Sequence, residues 1–198
     1  MLILASGSPR RAKILRDCGV AFTVVKSDAP EVSYPHDPER TVRENALAKG
    51  AAVSYPTRPR VEALANATQR GRCGYGILSA DTIVWFDNRI YGKPKDLAEA
   101  KEYLRELSGN VHTVFTGVAY NGEVKVVKSD VKFRKLSEAM IDEYVARVKP
   151  TDRAGAYDID ESGDLLVESY TGSYENIMGL PVEPLREWKI LENNRITE

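Results

Sequence analysis

At 198 residues the chain fits one ordinary domain, since compact units usually hold roughly 100 to 200 residues. Its 42% hydrophobic and 29% charged residues leave enough apolar side chains for a sizeable core and exclude wholesale disorder. A formal net charge of -1 excludes a global basic field that would hold a nucleic acid polymer by its phosphates, although local basic clusters remain open.

The opening MLILASGSPRR has too few apolar residues in a row for a secretory or transmembrane segment, so no membrane partner is expected. Cys18 and Cys73 show neither metal spacing nor a disulfide framework, which suits a reducing compartment and a cytoplasmic location.

Leu2 to Ala5 reads as a short buried strand, followed by the loop Ser6-Gly7-Ser8-Pro9 and a helix from Arg11 to Cys18 that stops at Gly19. Ala21 to Lys26 is the next strand, completing a βαβ-like start. Asp37 is placed to cap a helix with Pro38 in its first turn, fading near Tyr55-Pro56. Residues 56 to 75 lack periodicity and are expected to form an exposed, conformationally variable insertion inside a single domain spanning 1–198.

Gly76 to Phe86 is the strongest strand signal, with a turn at Asp87-Asn88 leading into Arg89 to Tyr91. Asp96 to Ser108 carries Leu97, Ala100, Leu104 and Leu107 at helical spacing, with Gly109 beyond its end. Val111 to Tyr120 and Glu123 to Phe133 predict a hairpin, because Asn121-Gly122 supplies the positive φ angles of a type I′ turn. Ser137 caps a helix through Val148, Asp164 to Tyr170 reads as a strand, and Pro181 to Asn193 as the last helix.

Three places suggest chemistry. In the Ser6 to Arg11 loop, small residues let an anion approach the free amides of a helix start. Arg10 and Arg11 there oppose the helix macrodipole by about 0.3 to 1 kcal/mol each, a sign that a bound polyanion reverses. The same pair also reads as two solvated arginines. Asp81 sits inside an apolar, β-branched run where a carboxylate is expensive to bury unless it is paired or bound to a metal. Taken alone it reads equally as a structural aspartate. Lys93, framed by Gly92 and Pro94, and Lys49 are point charges suited to phosphate oxygens, though most lysines are simply solvated.

Sharper motifs are missing: no Walker A run, nucleophile elbow, H-E-x-x-H or C-x-x-C is present. Asp158 to Gly163 imitates a calcium loop, but the bidentate glutamate is misplaced. His36 and His112 compose no hydrolase triad and read as structural.

LASGSPRR (Leu4 to Arg11), SADTIV (Ser79 to Val84), GKPKD (Gly92 to Asp96), LSGNVHTVFTGV (Leu107 to Val118) and GSYENIMGLP (Gly172 to Pro181) together resemble, in order, the signatures of the Maf family of nucleoside triphosphate pyrophosphatases. The resemblance implies an α/β fold with an elongated, twisted mixed sheet flanked by helices, two lobes around a cleft, and commonly a homodimer. It implies attack of water on the α-phosphate of a nucleoside triphosphate, assisted by Mg²⁺ or Mn²⁺. Asp81 would then be the general base or metal-organising carboxylate with Glu31 as a second metal carboxylate, and Ser6, Arg11, Lys49 and Lys93 would hold the triphosphate.

For base choice, Arg10 and Thr82 are similar to the branch that prefers dTTP and UTP, while Asp160 stands where that branch usually has Gln. An ionised Asp only accepts hydrogen bonds, so altered or broadened base choice is expected. The other readings are a pyrophosphatase for 7-methyl-GTP, one for deaminated nucleotides such as ITP, and a non-catalytic nucleotide-sensing regulator of cell division.

Overall fold

The computed structural model describes residues 1–53 and 76–195. The expected insertion at 56–75 lies outside the described residues. Among the described residues seven strands form one mixed sheet in the order β2-β1-β3-β5-β6-β7, with β4 attached to β3 off this path. The strands are β1 (Leu2–Leu4), β2 (Phe22–Val24), β3 (Gly76–Phe86), β4 (Arg89–Tyr91), β5 (Val111–Tyr120), β6 (Glu123–Phe133) and β7 (Val167–Thr171). The first three are parallel to one another, while every later pairing is antiparallel.

Local chemistry places the elements much as their residues suggest. Helix α1 (Pro9–Asp17) starts with proline at its first turn, and α2 (Pro38–Ala52) is capped by Asp37, whose carboxylate accepts from Arg40 N at 2.9 Å. Asp96 and Ser137 cap α3 (Leu97–Leu107) and α4 (Glu138–Val148) in the same way, at 2.8 and 3.3 Å. Asn121 and Gly122 have φ of 50° and 90°, the positive pair that joins β5 to β6.

Two expectations are corrected and one element is new. Asp164 to Leu166 belong to a helical turn, α5 (Gly163–Leu166), because Ser162 adopts a left-handed conformation and turns the chain before β7 begins. Ser173 caps a short helix, α6 (Tyr174–Met178), that apolar periodicity does not announce over five residues. The last helix is two, α7 (Glu183–Glu187) and α8 (Ile190–Asn193), divided where Lys189 has φ of 55°.

The long strand β3 explains the cleft. On one face its residues pair with β5 as Leu78 with Tyr120, Ala80 with Val118, Thr82 with Thr116, and Val84 with Val114. The apolar row is broken by one pair of threonines. Leu78, Ala80 and Val118 join a core with α1, α7 and α8, whereas Val84 and Val114 join a second core with α3 and α4. The two cores part at Thr82. The edge of β3 away from β5 is shared by β1, pairing residues 76–78, and β4, pairing residues 84–86, so residues 79–83 are left uncovered between them.

The opposite face is covered by α2. Gly117, in register with Asp81, lets the helix approach so closely that a Cβ there would lie 2.4 Å from Val42 O. Gly117→Ala is therefore expected to lower stability by about 1 to 3 kcal/mol, because backbone must move to relieve the overlap. A denaturant midpoint equal to that of the unsubstituted protein would contradict this approach.

His112 is buried in the second core, with Nε2 2.9 Å from Tyr157 Oη and its ring edge-on to Phe133. Burial pushes its imidazole from the ordinary 6.5 down to about 3. Between those values the unfolded chain binds a proton that the folded chain refuses, so this contribution is complete above pH 6.5 and falls away as pH drops toward 3. The loss approaches about 1.4 kcal/mol per pH unit. His112→Gln is expected to flatten that limb in denaturation curves taken across the window, and parallel pH profiles for the two proteins would contradict it.

Candidate active site

The cleft encloses about 590 Å³ and is lined by the loop after β1, the strand β3, α2, the segment after β4, and residues around Tyr157 and Gly179. Asp81, on the uncovered stretch of β3, is 5% exposed. Its Oδ1 accepts from Lys49 Nζ at 2.5 Å and its Oδ2 from Asn45 Nδ2 at 3.0 Å. Both donors come from α2, one turn apart, on the face that Gly117 lets close to the sheet.

Lys49 Nζ also lies 2.7 Å from Glu31 Oε1, so one ammonium joins two carboxylates. Burial favours the neutral form of Glu31, but the hydrogen bond and charge of Lys49, with the charges of Lys93 and Arg11, hold its carboxyl below the usual range. Asn45 sets the segment that carries Glu31. Its side chain accepts from Val32 N at 2.8 Å and donates to Val32 O at 2.9 Å.

Arg11 braces the cleft floor. Its Nε donates to Gly179 O at 2.8 Å, one terminal nitrogen to Ser6 Oγ at 3.1 Å and the other to Thr82 Oγ1 at 3.0 Å. Burial pushes its guanidinium down to about 10; Asp81 opposes that, Arg10 adds to it and Glu31 opposes it, so the group remains cationic near neutrality. Ser6 Oγ also accepts from Ser8 N at 3.2 Å, shaping the loop before α1. Lys93 lines the cleft, where its charge acts on Glu31, and the preceding Gly92 is pinned by Gly155 N donating to its carbonyl at 3.1 Å.

Ser6, Arg10, Arg11, Glu31, Lys49, Asp81, Thr82 and Lys93 are thus brought to one cleft. Asp160 is not among the lining residues. It accepts from Tyr174 Oη at 3.1 Å and lies 3.6 Å from Lys13 Nζ. Thr82 Oγ1 also lies 3.0 Å from Thr116 Oγ1, whose own hydrogen bond reaches Asn176 O at 3.1 Å, so Thr82 holds Arg11 in place.

Asn45, Thr116, Asn176, Arg153 and Asp158 escape a reading of the sequence. Asp158 left a signal there as the false calcium loop, and Thr116 as a member of the fourth motif; Asp158 pairs instead with Arg10 and Arg153. Asn176, fully buried, left none beyond its place in the fifth motif, and it donates to Val114 O at 3.2 Å and Ser129 Oγ at 2.9 Å.

Among the described residues no group of three or more His, Cys, Asp or Glu side chains forms a complete metal cage. The donor chemistry fits a hard divalent cation that relies on its ligand: two carboxylates meet at one cation, Lys49, and Mg²⁺ sites often use one or two carboxylates plus substrate phosphates. No described helix is long and apolar enough to cross a membrane.

The chain matches a family model described as Maf-like protein over residues 1–191. It is 40% identical over 194 residues to a protein named dTTP/UTP pyrophosphatase from Bacillus thuringiensis subsp. konkukian (strain 97-27), covering 95% of this chain and 94% of the relative. A protein of the same name from Thermosipho melanesiensis is 38% identical over 199 residues, covering 98% of each chain. Another from Bacillus cytotoxicus is 41% identical over 193 residues, covering 94% of this chain and 93% of the relative.

Asn45 ties three groups together, so Asn45→Ala is expected to lower stability by about 1 to 3 kcal/mol through the buried partners it strands. Asn45→Asp should cost more, since it sets a second carboxylate against Asp81. Urea midpoints order the three proteins, and an Asp variant as stable as the parent would contradict the arrangement.

Proposed function

The chain belongs to the Maf family, and from that premise we propose that it is a nucleoside triphosphate pyrophosphatase that hydrolyses dTTP and UTP to the monophosphate and pyrophosphate. The observation that carries the reading is the buried Asp81 carboxylate on the open edge of β3, surrounded by Arg11, Lys49 and Lys93 in one cleft. A polyphosphate needs clustered cations, and its hydrolysis needs a positioned acceptor for a proton from water.

In this reading Lys49, Lys93 and Arg11 bind the phosphate oxygens, and the small residues Ser6, Gly7 and Ser8 let a phosphate approach the start of α1. Asp81 is acceptor-only when ionised, and Asn45 and Lys49 fix both of its oxygens. It orients the attacking water and takes its proton while an oxygen–phosphorus bond forms at the α-phosphorus and the bond to the β-phosphate oxygen breaks. Pyrophosphate is the leaving group. Glu31 and Asp81 would hold Mg²⁺ or Mn²⁺, which would neutralise charge on the phosphates. The nucleotides are those in the names of the relatives, and Arg10 on the cleft wall suits bases that present carbonyl oxygens.

Pyrophosphate release from dTTP, UTP, CTP and 7-methyl-GTP, with Mg²⁺ or Mn²⁺, tests this. The first two are expected to turn over fastest, and Asp81→Asn is expected to lower kcat by about 100-fold or more. Turnover confined to 7-methyl-GTP would move the substrate to another branch. Tight nucleotide binding with no product would favour a sensor.

A further inference from the structure

Two groups of cations in the cleft differ in their surroundings. Arg11, Lys49 and Lys93 stand around Glu31 and Asp81, three positive groups against two negative ones. Arg10 is already balanced. One of its terminal nitrogens lies 3.5 Å from both Asp152 Oδ2 and Asp158 Oδ2, and the other donates to Asp152 O at 3.4 Å. Arg153 Nε lies 3.2 Å from the same Asp158 oxygen. All four residues line the cleft. On this wall two guanidiniums meet Asp152 and Asp158, and Arg153 also donates to Glu161 Oε2 at 2.6 Å, so a triphosphate gains little attraction there and meets repulsion from the acids. An uncharged group with hydrogen-bonding edges fits it.

We infer that the nucleobase rests against this wall and that Asp158 is the positioning residue that sets base preference, by holding the Arg10 guanidinium toward base carbonyl oxygens. The inference rests on the pyrophosphatase reading above and adds a residue and an orientation to it.

Asp158 suits that task because it is anchored from the core. It is 6% exposed, its N–H donates to Tyr144 Oη at 2.8 Å, and its Oδ1 accepts from Asp160 N at 2.9 Å. Tyr144 is itself fully buried. A planar guanidinium held against a fixed carboxylate keeps its remaining N–H groups in one direction. Uracil and thymine present carbonyl acceptors on their pairing edge, whereas cytosine carries an amino donor in place of one carbonyl. A fixed donor facing that amino group is unfavourable, which discriminates by repulsion as well as attraction. Asp160 points elsewhere, to Tyr174 and Lys13.

The test measures kcat and KM for UTP and CTP, and in parallel the calorimetric affinity for their α,β-imido analogues, in the full chain with Mg²⁺. Asp158→Asn and Arg10→Gln are each expected to lower the UTP-over-CTP ratio of kcat/KM about tenfold, equivalent to about 1.4 kcal/mol. The change should appear mainly in KM, and the double variant should lower the ratio no further than either single one, since both break the same contact. Asp158 is buried, so if Asp158→Asn does not fold, Arg10→Lys carries the test from the more exposed side of the pair. It keeps the charge, loses the fork, and is expected to lose the same discrimination.

An unchanged ratio in Asp158→Asn, additive effects in the double variant, or an equal fall in Asp160→Asn would overturn the inference. So would full discrimination in Arg10→Lys. A parent protein that binds the analogues but releases no pyrophosphate sinks the pyrophosphatase reading alone, and the affinity ratios then judge Asp158. Equal affinity for both analogues, or binding of neither, overturns the role given to Asp158.

Discussion

A carboxylate buried in the middle of a central strand is the constraint from which the site follows. Asp81 is 5% exposed, and an uncompensated charge in such a place costs several kcal/mol or more. Compensation requires donors at hydrogen-bond distance, and the chain supplies them from α2, as Asn45 and Lys49. Those side chains reach only because Gly117, directly across from Asp81, removes the Cβ that would hold the helix away. The charge on β3 thus dictates a glycine on β5 and the height of a helix above the sheet.

The other face of β3 is organised by a second polar interruption. Thr82 and Thr116 divide an apolar row into two cores, and the gap between the cores is where Arg11 enters. From Arg11 a continuous run of contacts passes through Thr82 and Thr116 to Asn176, and from there to Val114 and Ser129. Residues far apart in the chain are thus held by polar bonds where the two cores part. Arg11, Thr82 and Val114 of this run also line the cleft, so the bonds that join the two cores are continuous with its wall.

Much of this was readable locally. Caps at Asp37, Asp96 and Ser137 and the Asn121-Gly122 turn are set by residues within a few positions of one another, and their partners in the structure are those neighbours. Asp81 stood out because a charge in an apolar run needs an explanation. What the sequence does not carry is the identity of partners brought by tertiary packing: Asn45 to Asp81 spans 36 positions and Arg11 to Gly179 spans 168. The break at Lys189 and the helical turn before β7 depend on left-handed conformations at Lys189 and Ser162, residue types that do not announce them. Asp160 drew attention as a departure from a motif, yet two positions earlier Asp158 is the acid on the cleft wall, a distinction that only side-chain direction makes.

A chain of net charge -1 can still gather a polyanion, because attraction depends on the local field and a cleft with low-dielectric walls focuses it. The arrangement also limits the cost of holding like charges together before a ligand arrives. Lys49 is shared between Asp81 and Glu31, and Arg10 is shared between Asp152 and Asp158, so each is neutralised in advance. Arg11 is the exception: it donates to neutral oxygens, and burial together with its neighbour Arg10 draws its pKa down to about 10. It rests against neutral oxygens where Arg10 and Lys49 rest against carboxylates, so an anion placed beside it meets less competing negative charge than one placed beside Arg10. In the proposed function, that difference directs the phosphates toward Ser6 and Arg11 and leaves the balanced wall to the uncharged end of the nucleotide.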